Sequence, residues 1–129
     1  MSAGGTDKLR FRRAQRLLLA RDFQRVYRDG SRARGSLMTV AAAPNGLAHA
    51  RLGLSIGKAV WKGAVPRNRV RRILREAFRL EQDALPAGVD LIVIGSTPRV
   101  VLELDAARRE LVHLARKAWR RNREKAGLP

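Results

Sequence analysis

The sequence predicts a single α+β domain with the element order α-β-β-α-β-α. Three observations carry that expectation. The chain has 129 residues, the size of one ordinary domain. Its 45% hydrophobic content is enough to build a core, which a disordered basic tail could not do. Two segments with apolar residues at helical spacing flank a strand that reads as buried, and no repeat, linker or low-complexity tract interrupts them.

Residues 1–15 read as a flexible basic arm ahead of a domain spanning 16–129, with Lys8, Arg10, Arg12 and Arg13 opposed only by Asp7. From about Arg21 to Asp29 a short helix is expected. Phe23, Val26 and Tyr27 recur at i, i+3 and i+4 there, and Gly30 fits a C-terminal stop. Leu37 to Ala43 is the first strand candidate and ends at the Pro44-Asn45-Gly46 turn. Arg51 to Ile56 is the second, antiparallel to the first if that turn makes a hairpin. Gly57 to Val65 reads as a loop. Pro66 suits the first turn of a helix that continues to Gln82. The Pro86-Ala87-Gly88 break precedes a strand from Val89 to Gly95. Ser96 to Arg99 is a further loop, with a short extended segment at Val100 to Leu104. The longest helix, Asp105 to about Lys125, closes the chain.

At about 100° per residue, Val70, Ile73, Leu74, Ala77 and Phe78 of the middle helix fall within about 140° of one another. Asn68, Arg71, Arg72, Arg75 and Arg79 fall opposite. In the last helix Leu104, Ala107, Leu111, Leu114, Ala115, Ala118 and Trp119 share one face. Arg109, His113, Arg116, Lys117 and Arg120 share the other, where His113 reads as a surface histidine. Each helix should dock one side on a sheet and turn its cations to solvent.

Those cations define the partner class. Lys and Arg number 28 against 11 Asp and Glu, a formal net charge of +17 with a pI near 11.9. Ser31 through Arg75 contains no acidic residue but ten Lys and Arg, so this stretch has no neutralisation of its own. A polyanion is implied, nucleic acid first and an anionic membrane surface a lesser option. The apolar runs Leu17 to Ala20 and Leu91 to Ile94 are too short to cross a bilayer, and no apolar leader segment opens the chain, so a cytoplasmic protein is expected. Without cysteine there is no disulfide, thiolate nucleophile or Cys-based zinc site, and His49 and His113 lack spaced co-ligands. Gly53-Leu-Ser-Ile-Gly57-Lys58-Ala59 is one residue short of a nucleotide-binding loop, and Ala59 replaces the hydroxyl that would reach magnesium. No catalytic or metal-binding set emerges; reacting groups, if any, belong to a partner. Arginine's planar fork suits phosphate, and Phe23 and Tyr27, one turn apart, either staple their helix to the sheet or offer rings on which bases can stack.

The run Pro66-Arg67-Asn68-Arg69-Val70-Arg71-Arg72-Ile73-Leu74-Arg75 resembles the Arg-Asn-Arg-x-Lys/Arg-Arg-x-x-Arg helix of bacterial ribonuclease P proteins. Gly53-Leu-Ser-Ile-Gly-Lys58 and Ala64-Val65 precede it in the family's order. Asp22-Phe23, Val26-Tyr27 and Gly30 match upstream, and Ala87-Gly88-Val89-Asp90-Leu91-Ile92-Val93-Ile94 downstream. The resemblance covers about residues 16 to 122, with departures at Gly57, at Lys62-Gly63 and in a loop one residue longer around Trp61. It implies a two-layer α/β sandwich like domain 2 of ribosomal protein S5, in which a left-handed βαβ crossover carries the arginine helix. It implies a catalytic RNA as partner, which holds Mg2+ and removes the 5′ leader of precursor tRNA while the protein binds that leader and strengthens metal and substrate affinity. Transferred onto this chain, Arg67, Asn68, Arg69, Arg71, Arg72 and Arg75 would bind the catalytic RNA, and Phe23, Tyr27 and Lys58 would line a leader cleft. A structural RNA-binding protein of ribosomal type is the alternative. A DNA-binding helix-turn-helix is disfavoured, because a strand and loop stand where its first helix should be.

Overall fold

Residues 12–57, 64–95 and 102–128 are described by the computed structural model, residues 64–66 by their backbone alone. In chain order the elements are α1 (Ala20–Asp29), β1 (Ser31–Arg34), β2 (Met38–Pro44), β3 (Arg51–Ser55), α2 (Ala64–Leu80), β4 (Val89–Gly95) and α3 (Leu104–Lys125), with 3-10 turns at Arg13–Gln15 and Gln82–Ala84. The helices and β4 lie within two residues of their expected bounds. Pro66 sits in the first turn of α2, where its missing N–H has no intrahelical partner to lose.

The sheet order is β1-β2-β4-β3. β2 runs antiparallel to both β1 and β4, whereas β3 and β4 are parallel. The expected hairpin between the second and third strands therefore does not form; β4 inserts between them. Val89 through Val93 are all buried, and a strand covered on both faces belongs at the centre of a sheet. The turn is built for this insertion: Asn45 donates its backbone N–H to Gly88 O at 3.0 Å and its side-chain amide to Asp90 Oδ1 at 3.0 Å, gripping β4 instead of closing on β3. β1 was not anticipated. Its sequence Ser-Arg-Ala-Arg buries only Ala33, and its arginines project from a sheet edge, where charge discourages further pairing.

Alternation along β2 splits the core. Val40 and Ala42, with Leu91 and Val93, face α2 and α3, which present Val70, Leu74, Ala77 and Phe78 and then Ala107, Leu111, Leu114, Ala115 and Ala118. Ala41, Ala43 and Ile92 face the other way, under Leu17, Val26 and the half-buried rings of Phe23 and Tyr27. The sandwich of sheet and α2/α3 is the expected one, and α1 covers part of the opposite face. The parallel β3–β4 connection runs through α2, so the crossover does carry the arginine-rich helix. Of the expected arm, residues 1–11 lie outside the described residues, while Leu17 N–H donates to Leu52 O at 2.9 Å and ties the start of the domain to β3. The extended segment expected at Val100 falls largely outside as well; Leu102 and Glu103 lead into α3 without a strand.

Candidate RNA interface

α2 sorts its residues as its periodicity requires. Val70, Leu74, Ala77 and Phe78 are buried, while Asn68, Arg69, Arg72 and Arg75 are exposed and Arg67 and Arg71 half-buried. Among the described residues no carboxylate lies within ion-pair distance of Arg69, Arg71, Arg72 or Arg75. Arg79, one turn further, differs. Its Nε donates to Glu76 Oε1 at 2.9 Å, and a second nitrogen also bonds that carboxylate. This hydrogen-bonded pairing raises the Arg79 pKa and lowers that of Glu76. Asn68, Arg71, Arg72 and Arg75 line a shallow cavity of about 380 Å³ closed at its far end by the Glu76–Arg79 pair. Guanidinium groups left unpaired at this density attract phosphate, which they bind with two parallel N–H bonds.

Arg71 and Arg75 also reach a second concavity, about 250 Å³, where they meet Phe23 from α1, Gly53 and Leu54 from β3, and Arg16, Leu17 and Leu18 from the segment before α1. Gly53 makes the seat. A Cβ there would lie 2.6 Å from Phe23 Cζ and 3.1 Å from Leu17 Cβ, so only glycine lets the ring settle on the strand. The Phe23 and Tyr27 rings lie 6.4 Å apart at 59°, but Tyr27 does not line this groove, and the Arg32 guanidinium sits 5.2 Å from its ring centre. The structure thus joins Phe23 to the arginine helix, sets Tyr27 beside it, and leaves Lys58 outside the described residues. Arg16 and Leu18 are groove residues that the sequence had placed at the boundary of the arm; no local pattern marks them, since their position depends on the pairing of Arg16 with Leu52.

A buried carboxylate holds α1 in place. Asp90, 0% exposed on the central strand, accepts from Arg51 Nε and Nη2 at 2.8 Å each and from Asn45 at 3.0 Å, and also from Arg25 of α1. Arg25 further donates to Pro44 O at 2.8 Å, and Asp22 lies 3.7 Å and 3.8 Å from Arg25 and Arg51. Burial alone would push the Asp90 carboxyl up. The hydrogen bonds from Arg51, Asn45 and Arg25, with the Arg51 charge, outweigh it and hold the carboxyl below its ordinary value. The sequence did carry a signal: one aspartate inside a run of five apolar residues must find cations, because an unpaired buried charge is not tolerated.

Fold and site together define a basic α+β RNA-binding protein whose crossover helix is its cationic face. Residues 11–125 match the family model for Ribonuclease P. The ribonuclease P protein component of Photobacterium profundum is 40% identical over 115 residues, covering 89% of this chain and 93% of that one. The ribonuclease P protein component of Chromobacterium violaceum is 48% identical over 88 residues, covering 68% and 72%. The solved RNase P protein of Staphylococcus aureus superposes with a TM-score of 0.71 at 30% identity, over 82% of this chain and 96% of that one. The protein from Thermotoga maritima gives 0.70 at 29% identity, over 79% and 96%. The chain belongs to the ribonuclease P protein family, the protein subunits that work with an RNA subunit in the ribonucleoprotein endoribonuclease of tRNA 5′ maturation.

Proposed function

We propose that this subunit divides its RNA contacts between two surfaces that share Arg71 and Arg75. Arg67, Asn68, Arg69, Arg71, Arg72 and Arg75 bind phosphates of the RNA subunit. The Phe23 groove, with Tyr27 beside it and with Lys58, which follows β3 in sequence, receives the 5′ leader of precursor tRNA in the cytoplasm. The observation that supports this most is the 250 Å³ groove, in which an aromatic ring and two arginines without acidic partners meet over a glycine floor. A leader base stacks on the ring while its phosphates meet the guanidinium groups, so the substrate is held against the same helix that grips the RNA subunit. Mature tRNA lacks the leader and loses these contacts, which favours precursor over product.

The donor sets of the two concavities, rich in guanidinium, do not fit a metal ion. Among the described residues no group of three or more His, Cys, Asp or Glu side chains could hold an ion, and both concavities are lined by guanidinium groups that repel one. In our reading Mg2+ stays with the RNA. The chain acts on metal affinity indirectly, by neutralising crowded phosphates that would otherwise demand more cations. Among the described residues no helix is long and apolar enough to cross a membrane.

Phe23→Ala in the assembled complex tests the groove. Stacking depends little on salt, so precursor tRNA with a leader of several nucleotides should bind about 1–3 kcal/mol more weakly, the range for a lost base stack, with the deficit persisting as salt rises. Mature tRNA should bind as before. Thermal unfolding of the variant is run alongside, because truncating a core phenylalanine costs about 3–5 kcal/mol of stability instead. Equal loss for both RNAs, or a collapsed melting temperature, returns Phe23 to a purely structural role.

A further inference from the structure

α3 carries a second cationic face that the arginine helix does not account for. Arg109, His113, Arg116, Lys117 and Arg120 fall within an arc of about 100° and span about 16 Å of helix. They line a concavity of about 570 Å³ together with Glu81, just past the end of α2, and Asp105 in the first turn of α3. Five cations outnumber these two acids, and Glu81 and the neighbouring Glu110 are occupied. Glu81 binds Arg108 Nε at 2.6 Å, and Glu110 turns to the sheet, accepting the backbone N–H groups of Leu37 and Met38 at 2.7 and 2.9 Å. Arg116 donates Nε to Ala84 O at 3.0 Å and is exposed. Arg109, Lys117 and Arg120 have no ion-pair partner among the described residues.

We propose that this face binds the sugar–phosphate backbone of the RNA subunit, as a second clamp beside α2; the inference rests on α2 itself gripping that RNA. Placement selects the RNA subunit over tRNA. α3 packs over β1 and β2 and against α2, whereas the Phe23 groove opens at β3. α2 thus separates the leader groove from the α3 face, and an RNA lying along α2 on the side away from the leader runs onto Arg109, Lys117 and Arg120. These are point contacts with no base-reading geometry, so their contribution is affinity and salt dependence, with no sequence preference.

The test uses the full chain with its RNA subunit. In the triple variant Arg109→Gln, Lys117→Gln, Arg120→Gln, three phosphate contacts are lost. The slope of log K for RNA-subunit binding against log salt should become shallower by about two to three, with binding about tenfold or more weaker near 0.1 M salt. An unchanged slope overturns the proposal, as does a loss confined to tRNA binding by the assembled complex. Arg69→Ala with Arg72→Ala is measured in parallel. If that pair weakens RNA binding and the triple variant does not, the α3 clamp alone is overturned; if neither does, the α2 reading falls and takes the clamp with it. Because the chain has no cysteine, Lys117→Cys accepts a single tethered iron chelate that cuts nearby backbone. Cuts in the RNA subunit, at sites other than those reached from Asn68→Cys, support the clamp even if the triple variant folds poorly. Cuts only in tRNA, or none, exclude it.

Discussion

Around Asp90 the protein's arginines are consumed by its own carboxylate; along α2 they are not. Arg25 and Arg51 converge on one buried oxygen pair and are only 27% and 21% exposed, whereas Arg69, Arg72 and Arg75 stand in solvent with no acid in reach among the described residues. One residue type does two jobs, and the position of the acids decides which. Asp90 enters the centre of the sheet on β4, where a charge must be fully satisfied to be tolerated, and the network that satisfies it welds α1 to β3 and β4. No acid enters the chain between Ser31 and Arg75, so the first half of α2 keeps its charge for an external anion.

The comparison breaks most visibly at Asp90. Asp90→Asn keeps the shape and removes the charge, leaving two guanidinium groups to share the more distant Asp22 as counter-ion. Losing one partner of a buried pair costs about 3–5 kcal/mol, and urea unfolding should show a loss toward the lower end because both arginines reach water at their edges. RNA affinity per folded molecule should stay unchanged. The acid limb gives a second reading. The folded carboxyl titrates below its ordinary value, so its stabilisation is fully present above the unfolded value of about 4 and is lost as pH falls through the lower folded value. The variant should lack that part of acid unfolding. Full stability in Asp90→Asn would mean the two sets of arginines are not different in kind.

Arg69→Ala or Arg72→Ala should do the opposite. Each is expected to weaken binding of the RNA subunit by about 1–3 kcal/mol, most strongly at low salt, while the melting temperature barely moves. Lysine should restore only part of the loss, because it keeps the charge and gives up the fork. Destabilisation comparable to that of Asp90→Asn would place these side chains in the fold and remove them from the interface.

How far each set could be read from sequence follows from the range of its contacts. The α2 face was legible because a helix writes it locally: Val70, Leu74, Ala77 and Phe78 at helical spacing leave Asn68, Arg72 and Arg75 nowhere to go but outward. A cleft at Phe23 needed the family resemblance, and its meeting with Arg71 and Arg75 is visible only in the fold. That Asp90 needs cations was legible, but its partners were not, since the bonds join residues 39 and 65 positions apart and periodicity says nothing about which arginine meets which acid. The strand order failed for a related reason. A Pro-Asn-Gly turn favours a local hairpin, but the continuous apolar run of β4 claims the centre of the sheet, and burial outweighs local turn chemistry. β1 escaped because four residues with two arginines carry no strand pattern; its edge position explains its composition only after the sheet is known.

The finest cut runs through α2 itself, between Arg75 and Arg79. Both lie on the outward face, one turn apart, yet Arg79 shares the fate of Arg25 and Arg51 because Glu76 stands three residues before it. Glu76→Gln removes the negative charge bordering the Asn68–Arg75 cavity and weakens the hold on Arg79. The pair lies at the surface, so the stability cost should be only a few tenths of a kcal/mol. Binding of the RNA subunit should tighten by a similarly small amount, roughly twofold, and the salt slope should steepen slightly as one more cation becomes available to phosphate. Titrating wild type and variant side by side at two salt concentrations resolves a change of this size. Weaker binding in Glu76→Gln would show that Glu76 orients Arg79 for the RNA, and the boundary between arginines that hold the fold and arginines that hold the RNA would then lie beyond the end of α2.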